Sequence, residues 1–363
     1  MTGAPAATLT AIDETAAVEL LHELKCTDGL PVIVPTQERV DRMVLATGLD
    51  PGDILGEMGP LMGAASVEKV ATAAVMAGCL PDHVPVVIAA IKAISQPEFD
   101  LREMQATTHC TAPLIIVNGP ARHACGEVAS GFGAMGPGHR ANASIGRAVR
   151  LAMINIGGAR PGESDMALHG HPGKFTFCIA EDEENSPFPP LHTTFGYTAD
   201  QSAVTVVGSE APHSAFFIGD ADDPQGSAEQ LLGIIASMIA APGTNNVVLG
   251  GHGAVIVAMN PDHTAVLAEV GYDRAKIQQR LAELAVVPTE VARRLHPRNF
   301  GNVKGEYVQA VRDPEKILIV AAGGTGLYSM VMPTWCAGAH SNSAVHAKIE
   351  LDQACEVPWA VDN

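Results

Sequence analysis

The chain has 363 residues, of which 47 % are hydrophobic and 17 % are charged, and its formal net charge is −18. This composition excludes a mainly disordered chain, and the negative charge argues against binding to nucleic acid or to an anionic membrane surface. The length exceeds the size at which a single core usually stops growing, so we expect two α/β halves, at 1–200 and 201–363.

Hydrophobic periodicity and capping residues predict alternating helices and strands along the chain. The predicted helices are 16–25, 37–47, 66–77, 84–94, 145–156, 228–240 and 273–285. The predicted strands are 32–34, 113–117, 174–180, 204–207, 216–218, 255–258 and 317–321. The helix at 66–77 is started by Ser66 and stopped by Gly78. This alternation is typical of the α/β class.

Two segments of the chain resemble each other. Residues 32–54 align without a gap on residues 255–277, and each predicts a strand, a turn, a helix, a glycine stop and a second helix opened by aspartate. The segment from Pro113 begins in the same way. The repeat predicts internally duplicated strand–helix units that form two packed halves with a site at the seam. The alternative is that any strand–turn–helix unit looks alike.

A glycine-rich stretch at 130–139 precedes a helix that carries several arginines. Glycines let the backbone approach a ligand, and the free N–H groups at a helix start attract an anion. The spacing matches neither the dinucleotide fingerprint nor a Walker loop. We expect a phosphate, carboxylate or adenylate to bind here, and the alternative is a connector that caps a core helix. The residues expected to bind the anion are Gly136, Gly138, Arg140, Asn142 and Arg147.

The segment 157–192 is rich in histidine and glutamate and has little periodicity. A long irregular segment inside a compact protein is commonly an active-site loop, and the alternative here is a solvated acidic loop. On an extended backbone His169 and His171 face the same side. Together with His192 or a glutamate they could bind a divalent metal through three ligands and leave one coordination position open.

Two further sets of residues predict acid–base or thiol chemistry. Lys174 with Glu181 or Glu184 could act as an acid–base pair. Just before a predicted buried strand, His109 stands beside Cys110, which could be a thiolate nucleophile. Adjacent residues of a strand point in opposite directions, so His109 is expected to act in its own right, as an acid–base group or as a ligand. The alternative is a hydrogen-bonded histidine at a strand end.

The predicted strand at 317–321 opens into Gly-Gly-Thr-Gly, followed by a predicted short helix. In α/β folds ligands bind beyond the carboxyl ends of strands. The backbone N–H groups around Gly324 and Gly326, with the hydroxyl of Ser329, would suit an oxyanion or a carboxylate. Cys336 follows and is either reactive or merely buried.

The remaining sequence features concern the cellular compartment. The seven cysteines are scattered and form no Cys-x-x-Cys pair, which favours reduced thiols. The first ten residues do not have the pattern of a signal peptide, and no apolar run is long enough to span a membrane. We therefore expect a cytoplasmic protein.

Several motifs resemble those of one bacterial family. They are Thr-Thr-His at 107–109, Ile-Val-Asn-Gly-Pro at 116–120, Arg-Ala-Asn-Ala-Ser-Ile-Gly-Arg at 140–147, Pro-Gly-Lys-Phe-Thr-Phe-Cys-Ile-Ala-Glu at 172–181 and Ala-Gly-Gly-x-Gly-x-x-Ser at 322–329. With them, most of the chain resembles the large N-terminal region of proteins that carry, fused or as a neighbour, a small Sec/Cys-Gly-Ser-Cys module. The resemblance implies a redox-active thiol or selenol partner. The chain has no Cys-Gly-Ser-Cys, so we expect such a module to act in trans or to be absent.

These observations favour an enzyme, an oxidoreductase or lyase rather than a hydrolase, that acts on a small anionic substrate. Its chemistry would combine proton transfer with redox or bond cleavage, and a small Cys/Sec-Gly-Ser-Cys protein would be its partner. The first alternative is a metal-dependent hydrolase or lyase that uses His169, His171 and His192. The second is a non-catalytic assembly subunit. In each case we expect a homo- or hetero-oligomer.

Overall fold

The computed structural model describes residues 6–351 of the chain. Its helices are α1 (Glu14–Glu23), α2 (Gln37–Thr47), α3 (Val67–Ala77), α4 (Val84–Ile94), α5 (Leu101–Ala106), α6 (Ala121–Ala124), α7 (Arg140–Asn155), α8 (Pro224–Ile239), α9 (Asn245–Val248), α10 (Pro261–Glu269), α11 (Arg274–Leu284), α12 (Thr289–Leu295) and α13 (Pro297–Phe300). Its strands are β1 (Ile54–Met58), β2 (Gly63–Ser66), β3 (Ala112–Asn118), β4 (Cys178–Ala180), β5 (Ala203–Ser209), β6 (His213–Phe216), β7 (Val255–Met259), β8 (Val286–Pro288), β9 (Tyr307–Gln309), β10 (Ile317–Ala321), β11 (Tyr328–Met332) and β12 (Val345–Lys348). Within 6–351 no helix has the length and apolar character needed to cross a membrane.

The α/β class predicted from the sequence is confirmed, and local capping explains several of the helix bounds. The structure gives α2 and α4 the predicted limits. Before α3, the hydroxyl of Ser66 accepts a hydrogen bond from the amide of Lys69 at 3.4 Å, which satisfies one free donor at the helix start. After α3, Gly78 adopts a φ of 83°, a left-handed conformation that favours glycine and ends the helix.

The predicted strand at 32–34 is wrong. Residues 32–34 pair with no strand in the part of the chain described, and the amide of Ile33 donates instead to the carbonyl of Met76 at 3.3 Å. A short apolar run cannot by itself distinguish a strand from a coil packed on a helix. Of the predicted equivalent elements in 32–54 and 255–277, the first helices, α2 and α10, are both present. The strands do not correspond, because only the second segment contains a strand, the fully buried β7. The duplication of these two segments is not shown.

Two four-stranded sheets form the centre of the fold. The first has the strand order β12-β5-β3-β4 and the second the order β10-β7-β11-β6. In each sheet one pairing is parallel, β3 with β4 or β7 with β10, and the other two are antiparallel. All seven residues of β5 pair with β3, and β12 extends the same sheet. The boundary predicted at residue 200 therefore does not separate the two sheets.

The two sheets pack face to face. Alternate residues of each strand point inward, and these side chains form a shared apolar layer that includes Leu114, Ile116, Ile179, Ile256, Leu318 and Val320. The residues between them point outward, towards helices such as α3, α4 and α7 on the first sheet and α8 and α11 on the second. The result is a four-layer α-β-β-α arrangement. Because both faces of the sheets are buried, polar side chains gather where the strands end.

Candidate functional site

Four residues singled out from the sequence meet near the N-terminal end of β3. His171 lies within electrostatic range of both His109 and Lys174, and Lys174 lies within range of Cys110. Glu210 joins them because β5 runs antiparallel to β3, so that Ser209 pairs with Ala112 at this end of the sheet. Two imidazoles, a carboxylate, an ammonium group and a thiol are thereby gathered at one strand end.

His109 and Glu210 form a hydrogen-bonded dyad. The distance between His109 Nε2 and Glu210 Oε1 is 2.8 Å, and the side chains are only 17 % and 20 % exposed. Since an ionised carboxylate can only accept, Nε2 is the donor of this hydrogen bond, and in the neutral form of the ring Nδ1 keeps a lone pair. Nδ1 is buried and has no hydrogen-bond partner among residues 6–351. An oriented ring with an unengaged basic nitrogen is the arrangement that a general base requires.

Residues that follow β11 bound this site on one side. The indole Nε1 of Trp335 donates to Thr107 Oγ1 at 3.1 Å, and the same oxygen accepts the amide of His109 at 3.2 Å. Cys336 is buried, with its Sγ 3.1 Å from Thr334 Oγ1, and burial raises its pKa to about 12. Cys336 is therefore a protonated, buried thiol, which is the second of the two alternatives that the sequence left open.

His171 is held by backbone groups. Its Nε2 lies 3.2 Å from the carbonyl oxygen of Ser209, and its Nδ1 accepts the amide of Gly173 at 3.1 Å. This pattern requires a neutral ring that donates through Nε2. Burial is the main cause that lowers the pKa of His171, and the charge of Lys174 adds to it. With both nitrogens engaged, His171 forms a wall of the site.

A buried ionic triad adjoins the dyad. Asp165 Oδ2 accepts from Arg150 Nη2 at 2.6 Å, and Asp165 Oδ1 accepts from Lys174 Nζ at 2.8 Å. The three side chains are no more than 13 % exposed. Burial opposes ionisation of Asp165, but the two cations outweigh it and lower the pKa of this carboxyl. Burial, followed by the charge of Arg150, lowers the pKa of Lys174.

Cys110 differs from most of the other described cysteines in its accessibility. It is half-buried, as is Cys26. Cys79 and Cys178 are fully enclosed, and burial raises the pKa of both thiols far above the usual value. Because the thiolate is the nucleophile, these two buried cysteines are unreactive. Cys110 is therefore the thiol of this site that a small molecule can reach.

Glu181 and Glu184 do not belong to this site. They follow β4, which runs parallel to β3, and so lie at the C-terminal end of β3, whereas His109 precedes its N-terminal end and the seven-residue strand between them spans about 20 Å. Glu181 is fully buried and accepts from Asn118 Nδ2 at 2.6 Å and Arg274 Nη2 at 3.0 Å. The predicted acid–base pairing of Lys174 with Glu181 or Glu184 is wrong, since Lys174 pairs with Asp165.

Glu184 forms an ion pair instead. Its two carboxylate oxygens accept from Arg122 Nη1 and Nη2 at 2.8 Å and 2.7 Å. The hydrogen bonds from Arg122 are the main cause that lowers the pKa of Glu184 to about 2. Such a carboxyl stays ionised at neutral pH and has no proton to donate. Arg122 also donates to the carbonyl oxygen of Glu181, so the group fixes the loop after β4.

The glycine-rich segment is placed differently from the prediction. Gly136 and Gly138 lie in an exposed turn, and the exposed Arg140 donates to the carbonyl of Gly78 at 3.1 Å. Asn142 is buried, and its amide bonds to backbone groups, among them the carbonyl of Cys178 at 3.2 Å. These residues organise the start of α7, and their side chains do not reach His109 or Lys174.

Arg147 is also engaged elsewhere, although α7 itself borders the site. The guanidinium of Arg147 donates to both oxygens of Asp28 at 2.8 Å and 2.9 Å. The helix packs on the segment before β4, where Thr176 Oγ1 donates to the carbonyl of Ala143 at 2.8 Å. The helix that carries the arginines and the segment rich in histidine and glutamate are thus neighbours. The arginine that meets Lys174 is Arg150, one turn beyond Arg147.

The Gly-Gly-Thr-Gly segment lies at the carboxyl end of β10, as predicted, but β11 follows it in place of the predicted helix. Gly324 packs against the ring of Phe132, and the amide of Gly326 donates to Asp262 Oδ2 at 2.8 Å. Ser329 is buried, with its hydroxyl 2.7 Å from His263 Nδ1. These contacts engage Gly324, Gly326 and Ser329 with neighbouring residues. The segment is separate from the site at the N-terminal end of β3.

The predicted three-histidine metal site is not formed. His169 is exposed, whereas His192 is fully buried with its Nε2 3.1 Å from the carbonyl of Thr198. His171 has both nitrogens bound to the backbone. Within residues 6–351 no group of three or more His, Cys, Asp and Glu side chains is arranged to bind a metal ion. The prediction is wrong because spacing along an irregular segment does not determine where its side chains meet.

Sequence reasoning missed Glu210, Asp165 and Arg150. Glu210 follows a predicted strand by three residues, and only the antiparallel register of β3 and β5 brings it to His109. Asp165 lies inside the segment expected to be an active-site loop, and Arg150 lies on the helix that carries several arginines but was not among the residues expected to bind the anion. Comparison with known protein families, with curated proteins and with solved structures finds no match to this chain.

Proposed function

We propose that the chain is a cytoplasmic enzyme that transfers protons to or from a small anionic substrate near the N-terminal end of β3. One observation carries the proposal: the dyad of His109 and Glu210, the accessible thiol of Cys110 and the cations Arg150 and Lys174 all lie at this strand end. Perturbed pKa values cluster at functional sites, and here the pKa values of Lys174 and Asp165 are both lowered.

The proposed roles follow from the geometry of the dyad. The substrate must reach His109 Nδ1, which is buried. This nitrogen then accepts the proton of the substrate, and Glu210 stabilises the imidazolium that forms. The positive charges of Lys174 and Arg150 attract the anionic group and stabilise negative charge that develops during the reaction. In this partly buried setting those charges act more strongly than they would in water.

Cys110 and the motif resemblance favour a redox or bond-cleaving step, and so an oxidoreductase or a lyase. The thiol lies within electrostatic range of the cation Lys174, and reactive cysteines commonly lie near cations. A small Cys/Sec-Gly-Ser-Cys protein in its oxidised form, with an S–S or Se–S bond, would exchange with it in trans: the Cys110 thiolate attacks that bond, a mixed disulfide forms and the partner's other thiol leaves. Cys26 and Cys110 are thiols rather than disulfides, which fits the reducing cytoplasm.

The test is a turnover screen in D₂O. Mixtures of small carboxylates and phosphates are incubated with the protein, with and without a dithiol, and the loss of substrate proton signals is followed by NMR. The variant His109→Gln keeps a donor near the position of Nε2 for Glu210 but removes the basic Nδ1. We expect it to lower the rate about 10²- to 10⁴-fold, which is the usual contribution of a general base.

His123→Gln is the matched control, because His123 is an exposed histidine that also bonds to a glutamate, Glu127, at 2.9 Å. We expect this variant to retain the full rate. The proposal fails if no compound is turned over, or if His109→Gln and His123→Gln have equal rates. Circular dichroism of each variant is the check that its fold is intact.

A further inference from the structure

The buried cations of the site have a second polar neighbour that is only half satisfied. Gln105 is 1 % exposed, and its Oε1 accepts from Arg150 Nη1 at 3.2 Å. The Nε2 of the same amide is buried without a hydrogen-bond partner among residues 6–351. Arg150 and Lys174 also line a cavity of about 10 Å³, room for one water molecule. Hydrogen-bond donors therefore outnumber acceptors around Arg150 and Gln105.

Stability alone does not explain the triad of Arg150, Lys174 and Asp165. Removing three charges from water costs several kcal/mol per ion, and apolar side chains of similar volume commonly serve a core as well or better. The lowered pKa of Lys174 reflects that cost. Two buried cations that converge on the two oxygens of one carboxylate form instead the geometry of an anion-binding site.

The carboxylate that fills this geometry belongs to a segment lying on the outside of the fold. The amide of Met166 donates to the carbonyl of Gln105 at 3.1 Å, and the amide of Leu168 donates to that of Thr108 at 3.0 Å. The side chains of Met166 and Leu168 are 41 % and 74 % exposed. Little apolar surface therefore opposes the lifting of residues 165–168 from the site.

We propose that Arg150, Lys174 and Gln105 form the binding site for a carboxylate group of the substrate, and that Asp165 occupies this site when no substrate is bound. The substrate carboxylate displaces Asp165, and residues 165–168 move away with it. The inference rests on the proposed function, because it names the class of the anionic group. A carboxylate fits better than a phosphate, since the two cations each meet one oxygen and the adjoining cavity is small.

Acetate is the probe, and the variant Asp165→Ala removes the internal competitor. We expect the Kd of acetate, measured by calorimetry, to be at least tenfold lower for Asp165→Ala than for the wild type. Adding Arg150→Met to this variant should abolish the gain in affinity for acetate. Inorganic phosphate should bind both forms more weakly than acetate does.

The matched control is Asp28→Ala, because Asp28 is also a buried carboxylate that pairs with an arginine of α7, Arg147. Equal acetate binding by Asp28→Ala and Asp165→Ala would mean that any unpaired arginine attracts acetate, and this result overturns the proposal. So does an acetate Kd that is the same for Asp165→Ala and the wild type.

Hydrogen exchange of the wild-type protein decides the matter even if Asp165→Ala does not fold. Saturating acetate should speed exchange of the Met166 and Leu168 amides at least tenfold and leave that of Leu151, inside α7, unchanged. Unchanged exchange at all three positions overturns the proposal. The variant His109→Gln separates the two ideas: it should bind acetate normally, so a failure of turnover and a failure of carboxylate binding are seen independently.

Discussion

Replacing Arg274 by methionine removes the cation that neutralises Glu181 between the two sheets. Glu181 is fully buried, and the guanidinium of Arg274 is 6 % exposed. Arg274 Nη2 lies 3.0 Å from Glu181 Oε1 and 2.6 Å from the carbonyl of Pro189, and Nη1 donates to the carbonyl of Ile319 in β10. In Arg274→Met the carboxylate keeps its donors from Asn118 and Leu191 but loses its countercharge.

Breaking a buried ion pair from one side costs about 3–5 kcal/mol, because an uncompensated charge stays behind. We expect Arg274→Met to lower the free energy of unfolding by this amount in urea titrations. The matched control is Arg280→Met, on the same helix, since Arg280 pairs with Glu229 at 2.8 Å where both side chains are more than a third exposed. Arg280→Met should lower the free energy of unfolding by no more than about 1 kcal/mol. Equal losses for the two variants would refute the reasoning.

Two further predictions concern pH and thiol accessibility. Burial holds the pKa of His83 and His346 at about 4, below the usual 6.5, so the unfolded chain takes up protons first as the pH falls. The free energy of unfolding should therefore have its full value above pH 6.5 and decline towards pH 4. His346→Asn should make this decline shallower in urea titrations. An unchanged decline would contradict the lowered pKa of His346. Iodoacetamide should label Cys26 and Cys110 in the native protein and leave Cys79 unlabelled until the chain unfolds, as peptide mass spectrometry can show. Labelling of Cys79 at the rate of Cys110 would disprove the accessibility argument.

Elements with a complete local signal could be predicted from the sequence. The helix α3 has a side-chain N-cap at Ser66 and a left-handed glycine at Gly78, and β10 is an apolar run with the predicted limits. Residues 32–34 carry a similar apolar signal but lack a partner strand. Strand formation depends on a pairing that is remote in sequence, and no local pattern reports it.

The candidate site shows the same limit on a larger scale. His109, Cys110 and Lys174 were recognised by residue type, and the pairing of β3 with β5 supplied the partner Glu210 from 101 residues away. Arg147 was expected to bind an anion but pairs with Asp28, which is 119 residues distant in the chain. Residue types therefore indicate which side chains could take part in chemistry. Which of these candidates lie together, and with which partners, is determined by tertiary contacts.

The central claim is that the polar groups near the N-terminal end of β3 form one ligand site. Alkylation of Cys110 with iodoacetamide, measured with and without saturating acetate, tests it directly, and the half-buried Cys26 serves as an internal reference. Acetate bound at Arg150 and Lys174 should slow the labelling of Cys110 and leave that of Cys26 unchanged. Equal labelling of Cys110 in both conditions, with acetate binding established, would show that the thiol and the anion do not share a site.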